Sequence, residues 1–331
     1  MGSGLRLPML AKQPNVTWAI IAVNVLMWLL MTAVGSSENT GTLLQFGAMF
    51  GPYIAAKGEY WRLFTAMFLH AGLLHLGLNM FGLWIFGRMV EGLFGHVRFA
   101  VIYVIAGLAG SVVSYLLNQE TVAVGASGAV FGVLGATAAF FISQRQLLGR
   151  LAQRNITTLA MLVGINLLFG FFWPGIDNWA HLGGLAGGLA IGYVLSPRYE
   201  LKRDVMGMPM ALVEQRKPLR HLKWVVPVSV VVVALGVVLG NMVQSDSALS
   251  EAIRAERAFD DGDLETALAH AERAIELSPE TGGAYYVRAL IREDWGDRVG
   301  AVDDAVRAVR LGDSETSSKA QELLIRLRLE G

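Results

Sequence analysis

The sequence predicts an all-α protein: a polytopic transmembrane helical bundle of seven spans, followed by a small α-helical repeat domain. Three observations predict it. Of 331 residues, 54% are hydrophobic and only 16% charged, with a mean hydropathy of +0.48, whereas a soluble globular chain carries about 25% charged residues. Seven apolar segments lie within residues 17–243. The net charge of zero conceals a split: residues 1–244 hold 16 Lys+Arg against 8 Asp+Glu, and residues 245–331 hold 11 against 19. Such asymmetry indicates two parts in different surroundings.

The apolar segments run over about 17–34, 64–87, 97–117, 127–143, 157–173, 178–195 and 224–243. A helix crossing a hydrocarbon core about 30 Å thick needs about 20 apolar residues. The first, third and seventh segments supply them outright. The fourth and sixth are short and glycine-rich, as expected of helices enclosed by others or starting below the membrane surface. The first is uninterrupted over Thr17–Val34 with no convincing cleavage site after it, and reads as a retained signal anchor. With residues 1–16 in the cytoplasm, the inner stretches hold Arg6, Lys12, Arg88, Arg98, Arg145, Arg150 and Arg154. The linker 196–223 adds Arg198, Lys202, Arg203, Arg216, Lys217, Arg220 and Lys223. The outer loops hold only Lys57 and Arg62, so positive charge sets this orientation. The expected domains are therefore a cytoplasmic N-terminus (1–16), a six-span core (17–195), a basic cytoplasmic linker (196–223), a seventh helix (224–243) and an extracytoplasmic tail (244–331), in a cell membrane. No cysteine is present, which excludes disulfides, thiol catalysis and cysteine-ligated metals.

The tail repeats at 34 residues. Ala255, Gly262, Asp263, Ala267, Ala271, Ala274 and Leu277 recur as Ala289, Gly296, Asp297, Ala301, Ala305, Ala308 and Leu311. That period, with small residues where helices meet and Pro279 closing the first unit, resembles the tetratricopeptide repeat. Two units cover about 248–315, and 317–329 is expected to cap them. An ordinary helical hairpin domain is the plainer alternative.

Ionisable and polar residues inside membrane segments are candidates for function because burying them is costly. His70, His75 and Asn79 lie in the first half of the second segment, Ser127 opens the fourth within Gly125-Ala126-Ser127-Gly128, and His181 stands near the start of the sixth. All three segments run from outside to inside, so these groups share one level in the outer part of the bilayer. On a helix His75 and Asn79 share a face and His70 points elsewhere; Ser127 shares a face with Phe131, and Gly184 and Gly188 lie close to the face of His181. Small residues such as Gly128 and Gly132 let helices approach. Nucleophilic acyl transfer is the chemistry this supports: His181 as base for the Ser127 hydroxyl, with His75, Asn79 and the Ser127 N–H as oxyanion donors. Asp177, four residues before His181, reads as a solvent-facing cap, which makes the site a dyad. Asn24 is expected to bond to backbone, and His96, His221 and His270 to be solvated. A metal site lacks embedded carboxylates and a paired-histidine helix motif.

Taken together, Trp61-Arg62 in a long first loop, His70 with His75-Leu-Gly-Leu-Asn79, Gly125-Ala126-Ser127-Gly128 and Ala180-His181-x-x-Gly184-x-x-x-Gly188 resemble the rhomboid intramembrane serine proteases. The resemblance covers about residues 17–195; the seventh segment and tail look like bacterial six-plus-one members. It implies that Ser127 is the nucleophile and His181 the general base, that His75 and Asn79 line the oxyanion hole, and that Phe131 packs on the imidazole. His70, Trp61 and Arg62 are implied to be structural. Substrates would be single-span membrane proteins, with no metal or organic cofactor. A non-proteolytic adaptor that binds transmembrane segments and recruits partners through its tail is the alternative, and a transporter ranks last because the polar cluster is off-centre. The first loop, about 35–63, with Phe46, Phe50, Tyr53, Tyr60 and Trp61, is expected to lie at the membrane interface. The tail is expected to bind a protein; its negative charge argues against nucleic acid.

Overall fold

The computed structural model describes residues 9–118, 121–173, 175–203, 209–214 and 219–329. Of the cations counted above, Arg6, Arg216 and Lys217 lie outside the described residues. These residues divide into two compact units, Met1–Met49 with Trp61–Val237, and Phe50–Tyr60 with Val238–Gly331.

The apolar runs become helices, with shifted ends. By length and composition five stretches could cross a membrane: Asn15–Val34, Leu73–Phe94, His96–Leu117, Arg150–Phe172 and Arg220–Gln244. We label the first α1. The first loop carries α2 (Thr40–Gln45) and α3 (Gly51–Lys57). The second run departs from expectation. Arg62–Thr65 makes a single turn (α4) and Ala66–Phe68 a 3₁₀ turn, and helix α5 (Leu73–Gly82) begins only after Gly72, whose φ of 85° breaks the path. It continues through a π turn at Leu83–Gly87 into α6 (Arg88–Phe94). His70 therefore precedes the helix instead of lying on it. Next come α7 (His96–Leu117), α8 (Ser127–Ser143), α9 (Arg145–Leu148), α10 (Arg150–Phe172) and α11 (Asn178–Leu195).

The centre of the first unit is α8, buried on nearly every side, as a helix apolar all round should be. Its 17 residues span about 26 Å, less than the hydrocarbon thickness. Val133, Ala136 and Phe140 of α8 meet Phe99, Ile102 and Tyr103 of α7 and Phe94 of α6 in one core.

Two features here were not anticipated. The linker holds a β-hairpin, β1 (Tyr199–Arg203) antiparallel to β2 (Pro209–Glu214), the exception to an all-α chain. Along β1, Tyr199 is buried, Glu200 exposed, Leu201 half-buried and Lys202 exposed, the alternation of a one-sided strand. Arg98 donates to Glu214 at 3.0 Å and Gln144 to the Pro197 carbonyl at 2.7 Å, so the hairpin is tied to the bundle. The second feature is Glu91, which is fully buried. It accepts from the Val16 and Thr17 amides at 2.9 and 2.8 Å and from Thr17 Oγ1 at 2.6 Å, and it pairs with His96 Nδ1 at 2.5 Å. One carboxylate thus satisfies two of the N–H groups in the first turn of α1, while Trp18 N donates to the Pro14 carbonyl. His96 is not simply solvated, as expected, because it shares this carboxylate. Glu91→Ala should destabilise the protein by about 2–4 kcal/mol, since the buried Thr17 amide and hydroxyl and the part-buried Val16 amide lose their acceptor, and Glu91→Gln by less; denaturant titration of the reconstituted protein reads both. Asn24 bonds to the Ile20 carbonyl at 2.7 Å, as expected.

After the linker comes α12 (Leu219–Gln244), and the tail holds α13 (Ala248–Asp260), α14 (Leu264–Leu277), α15 (Gly282–Asp294), α16 (Arg298–Leu311) and α17 (Ser314–Leu329). The helices form two hairpins followed by a last helix. Gly262 and Gly296, both at φ 79°, turn the hairpins, and Asp263 and Asp297 cap α14 and α16 by accepting from Thr266 N and Gly300 N. Ala255, Ala267 and Ala271 pack in the first hairpin, and Ala289, Ala301 and Ala305 in the second, where Leu323 and Leu327 of α17 join them. Asp304, nearly fully buried, accepts two bonds from Arg288 at 2.8 Å and one from Arg292 at 2.7 Å. His270 pairs with Glu251 at 2.5 Å, again a partner where solvent was expected.

Candidate active site

Ser127 is the first residue of α8, His75 the third of α5 and His181 the fourth of α11. The polar residues thus stand at the N-terminal ends of three helices, with Asn79 one turn along from His75. A helix start leaves backbone N–H groups without intrahelical partners; at the start of α11 Asp177 takes those of Ala180 and His181.

The chain entering Ser127 is held from three sides. Ala123 and Met49 exchange backbone hydrogen bonds at 2.9 and 3.0 Å; Gly125 N donates to the Ala66 carbonyl at 2.9 Å; Ala126 N donates to His70 Nε2 at 3.4 Å. Gly125 has φ 127°, and a Cβ there would stand 2.8 Å from His75 Nε2 and 3.7 Å from Ser127 Oγ. Only glycine fits both the backbone and the imidazole. The His70 and His75 rings meet edge to face at 5.1 Å. This corrects the reading that His70 points away from His75. That reading assumed one continuous helix, whereas His70 lies in the non-helical approach to α5 and is free to fold back.

Asn79 is 7% exposed and donates one amide hydrogen to the His75 carbonyl at 3.0 Å; the second remains for another acceptor. His181, also 7% exposed, stacks on Phe131 with ring centroids 4.2 Å apart and planes within 5°. Its Nδ1 has no hydrogen-bond partner among the described residues.

Backbones touch where α8 and α11 cross. A Cβ on Gly184 would fall on the Gly128 carbonyl oxygen, and one on Gly188 on the Gly132 carbonyl oxygen. A Cβ on Gly128 would stand 3.2 Å from the Ala180 carbonyl. Gly128 follows Ser127 and Ala180 precedes His181, so the residues flanking the hydroxyl and the imidazole are in contact. Trp61 and Arg62 lie away from this crossing. The Arg62 guanidinium is 4.7 Å above the Trp61 ring, and Arg62, 5% exposed, donates to the Leu44 and Ala48 carbonyls at 2.8 and 3.1 Å, bracing the first loop.

A helix-start hydroxyl, an imidazole on the adjoining helix and a histidine and amide on a third form a constellation suited to acyl transfer. The Rhomboid domain model matches residues 57–198. Over 192 residues the chain is 31% identical to the putative rhomboid protease YdcA of Bacillus subtilis, covering 56% of this chain and 91% of that protein. The chain belongs to the rhomboid family. It is also 40% identical over 176 residues to the rhomboid protease GluP of Bacillus subtilis, covering 53% of this chain and 34% of GluP. With RHOMBOID-like protein 1 of Arabidopsis thaliana it shares 35% identity over 208 residues, 61% of this chain and 52% of that protein. The chain thus spans about a third and about half the lengths of these two relatives.

In this rhomboid Asp177 is more than a solvent-facing cap. Its carboxylate caps α11 by accepting from Ala180 N at 3.0 Å, and it also accepts from Ser114 Oγ on α7. The capping pattern was readable in the sequence, but the partner 63 residues away carried no local signal.

Proposed function

We propose that this rhomboid is an intramembrane serine endopeptidase, hydrolysing peptide bonds in or near the transmembrane segments of single-span proteins. Ser127 Oγ attacks the scissile carbonyl while His181 takes its proton; the imidazolium then protonates the leaving amine, and water hydrolyses the acyl-enzyme by the same route in reverse. The Ser127 N–H, His75 and Asn79 face the developing oxyanion, and Phe131 keeps the imidazole flat. Gly125, Gly128, Gly184 and Gly188 allow the close approach this needs, and His70, Trp61 and Arg62 brace the loops around it. The observation that carries the reading is the glycine–carbonyl contact of α8 and α11 directly beside Ser127 and His181, with the imidazole parallel to Phe131. The protease names of its Bacillus subtilis relatives support it.

The same reading includes seven spans with the N-terminus in the cytoplasm, and a tail of two tetratricopeptide-like units and a capping helix outside it, binding a protein partner. The equivalent alanines of the two hairpins and the twin glycine turns support the repeat.

The test is the protein reconstituted in liposomes with a single-span model substrate, followed by treatment with a fluorophosphonate. The expected results are a discrete cleavage and a phosphonyl adduct, formed with loss of fluoride, that maps to Ser127. A folded protein that neither cleaves nor reacts at Ser127, or that reacts at another residue, overturns the proposal.

A further inference from the structure

The turn that presents His181 is gripped by α7. Asp177 Oδ1 accepts from Ala180 N at 3.0 Å, and the Asp177 carbonyl accepts from His181 N at 3.2 Å. The other carboxylate oxygen accepts from Ser114 Oγ, and Ser114 is completely buried. Four residues earlier on α7, and so on the same face, Gly110 lies against the same turn: a Cβ there would stand 2.6 Å from the Ala180 carbonyl oxygen. Gly128 of α8 meets that same carbonyl, and its Cα is 3.4 Å from where a Gly110 Cβ would stand. Residues 177–180 thus pack where α7 and α8 meet, with one side-chain bond, from Ser114 to Asp177, tying them to α7.

A histidine base is usually oriented by a third group bonded to its other ring nitrogen. His181 Nδ1 has no such partner among the described residues. The ring is oriented by its stack on Phe131 and by the backbone that carries it. We infer that Asp177 is a positioning residue that acts through Ser114: the pair clamps the first turn of α11 to α7 and sets the imidazole over Phe131, in register with Ser127. This inference rests on the proteolytic reading of the site. It assigns the orienting task of a triad acid to a carboxylate that makes no hydrogen bond to the imidazole Nδ1.

The test compares Asp177→Ala, Asp177→Asn and Ser114→Ala in the full-length reconstituted protein. Two quantities are read: kcat and KM on the single-span substrate, and the His181 Cε1–H NMR signal, assigned by its loss in His181→Ala. A displacement of about 1 Å can cost about 100-fold in rate. Asp177→Ala should lower kcat by about 10- to 100-fold with KM little changed, and should move the His181 signal away from its ring-stacked position. Asp177→Asn keeps an oxygen for Ala180 N, and its amide nitrogen can donate to the Ser114 hydroxyl with the direction of that bond reversed, so it should keep both the signal and most of kcat. Ser114→Ala should fall between, and should add nothing in the Asp177→Ala background. An unmoved His181 signal in Asp177→Ala overturns the clamp, as does a loss in Asp177→Asn equal to that in Asp177→Ala, or an effect on KM alone. If Asp177→Ala does not fold, an unmoved signal in Ser114→Ala overturns it instead. Should the wild type cleave nothing, the proteolytic reading fails while the NMR signal still decides whether Asp177 sets the ring.

Discussion

Ser127→Ala will remove cleavage of a single-span substrate in liposomes, and His181→Ala will remove as much. A serine hydroxyl without a base is a poor nucleophile, and a base without its serine has nothing to activate. Members of such a unit are therefore grossly non-additive: losing either costs about 10⁶-fold in turnover, and losing both costs little more. The double variant should match the singles. His75→Ala and Asn79→Ala address charge stabilisation instead, and each should lower turnover by about 10²–10³-fold, the usual loss for one oxyanion donor. Cleavage undiminished in Ser127→Ala would overturn the assignment of the nucleophile. Retained cleavage in His181→Ala alone would move the base elsewhere while leaving Ser127 in place.

The helices were legible because an apolar run of membrane length can satisfy its backbone only by coiling. The enclosed position of α8 was legible for a related reason: a short run of glycine and alanine has no bulk to offer lipid and every advantage against a neighbouring helix. Legibility failed where hydrophobicity meant something else. Residues 64–72 are apolar because Leu69 and Ala71 pack against Leu43 and Ala48 of the first loop and Met67 against the bundle core, so their composition matched a span while Gly72 and the bonds of Ala66 and His70 to residues 125–126 drew them out of one. The hairpin at 199–214 was hidden by its charges, which were counted for orientation, although its alternation was present in Tyr199, Glu200, Leu201 and Lys202. The grip of Glu91 on Thr17 and of Ser114 on Asp177 was missed because these partners are 74 and 63 residues apart; His96, five residues from Glu91, is the one near partner.

The glycines of α11 separate close helix packing from mere tolerance of small residues. A Cβ on Gly184 or Gly188 falls on a backbone carbonyl of α8, not on a side chain that could swing aside. The helices must part to admit it. Overpacking of this kind costs about 1–3 kcal/mol, occasionally more, and the parting opens where Gly128 and Ala180 hold Ser127 and His181 together. Gly184→Ala is therefore expected to lose about 100-fold or more in kcat, the cost of roughly 1 Å of misplacement, together with a clear loss of stability in denaturant. Gly188→Ala, one turn further from the site, should lose as much stability but less rate. Gly164 in α10 is the control: nothing lies within 4 Å of where its Cβ would be. Gly164→Ala should keep full activity and gain up to about 1 kcal/mol, because alanine is the better helix former. If Gly184→Ala and Gly164→Ala behave alike, backbone contact between α8 and α11 is not what sets the site. If stability falls equally at Gly184 and Gly188 while rate falls chiefly at Gly184, the distance between these two helices at the level of Ser127 is the variable on which turnover depends.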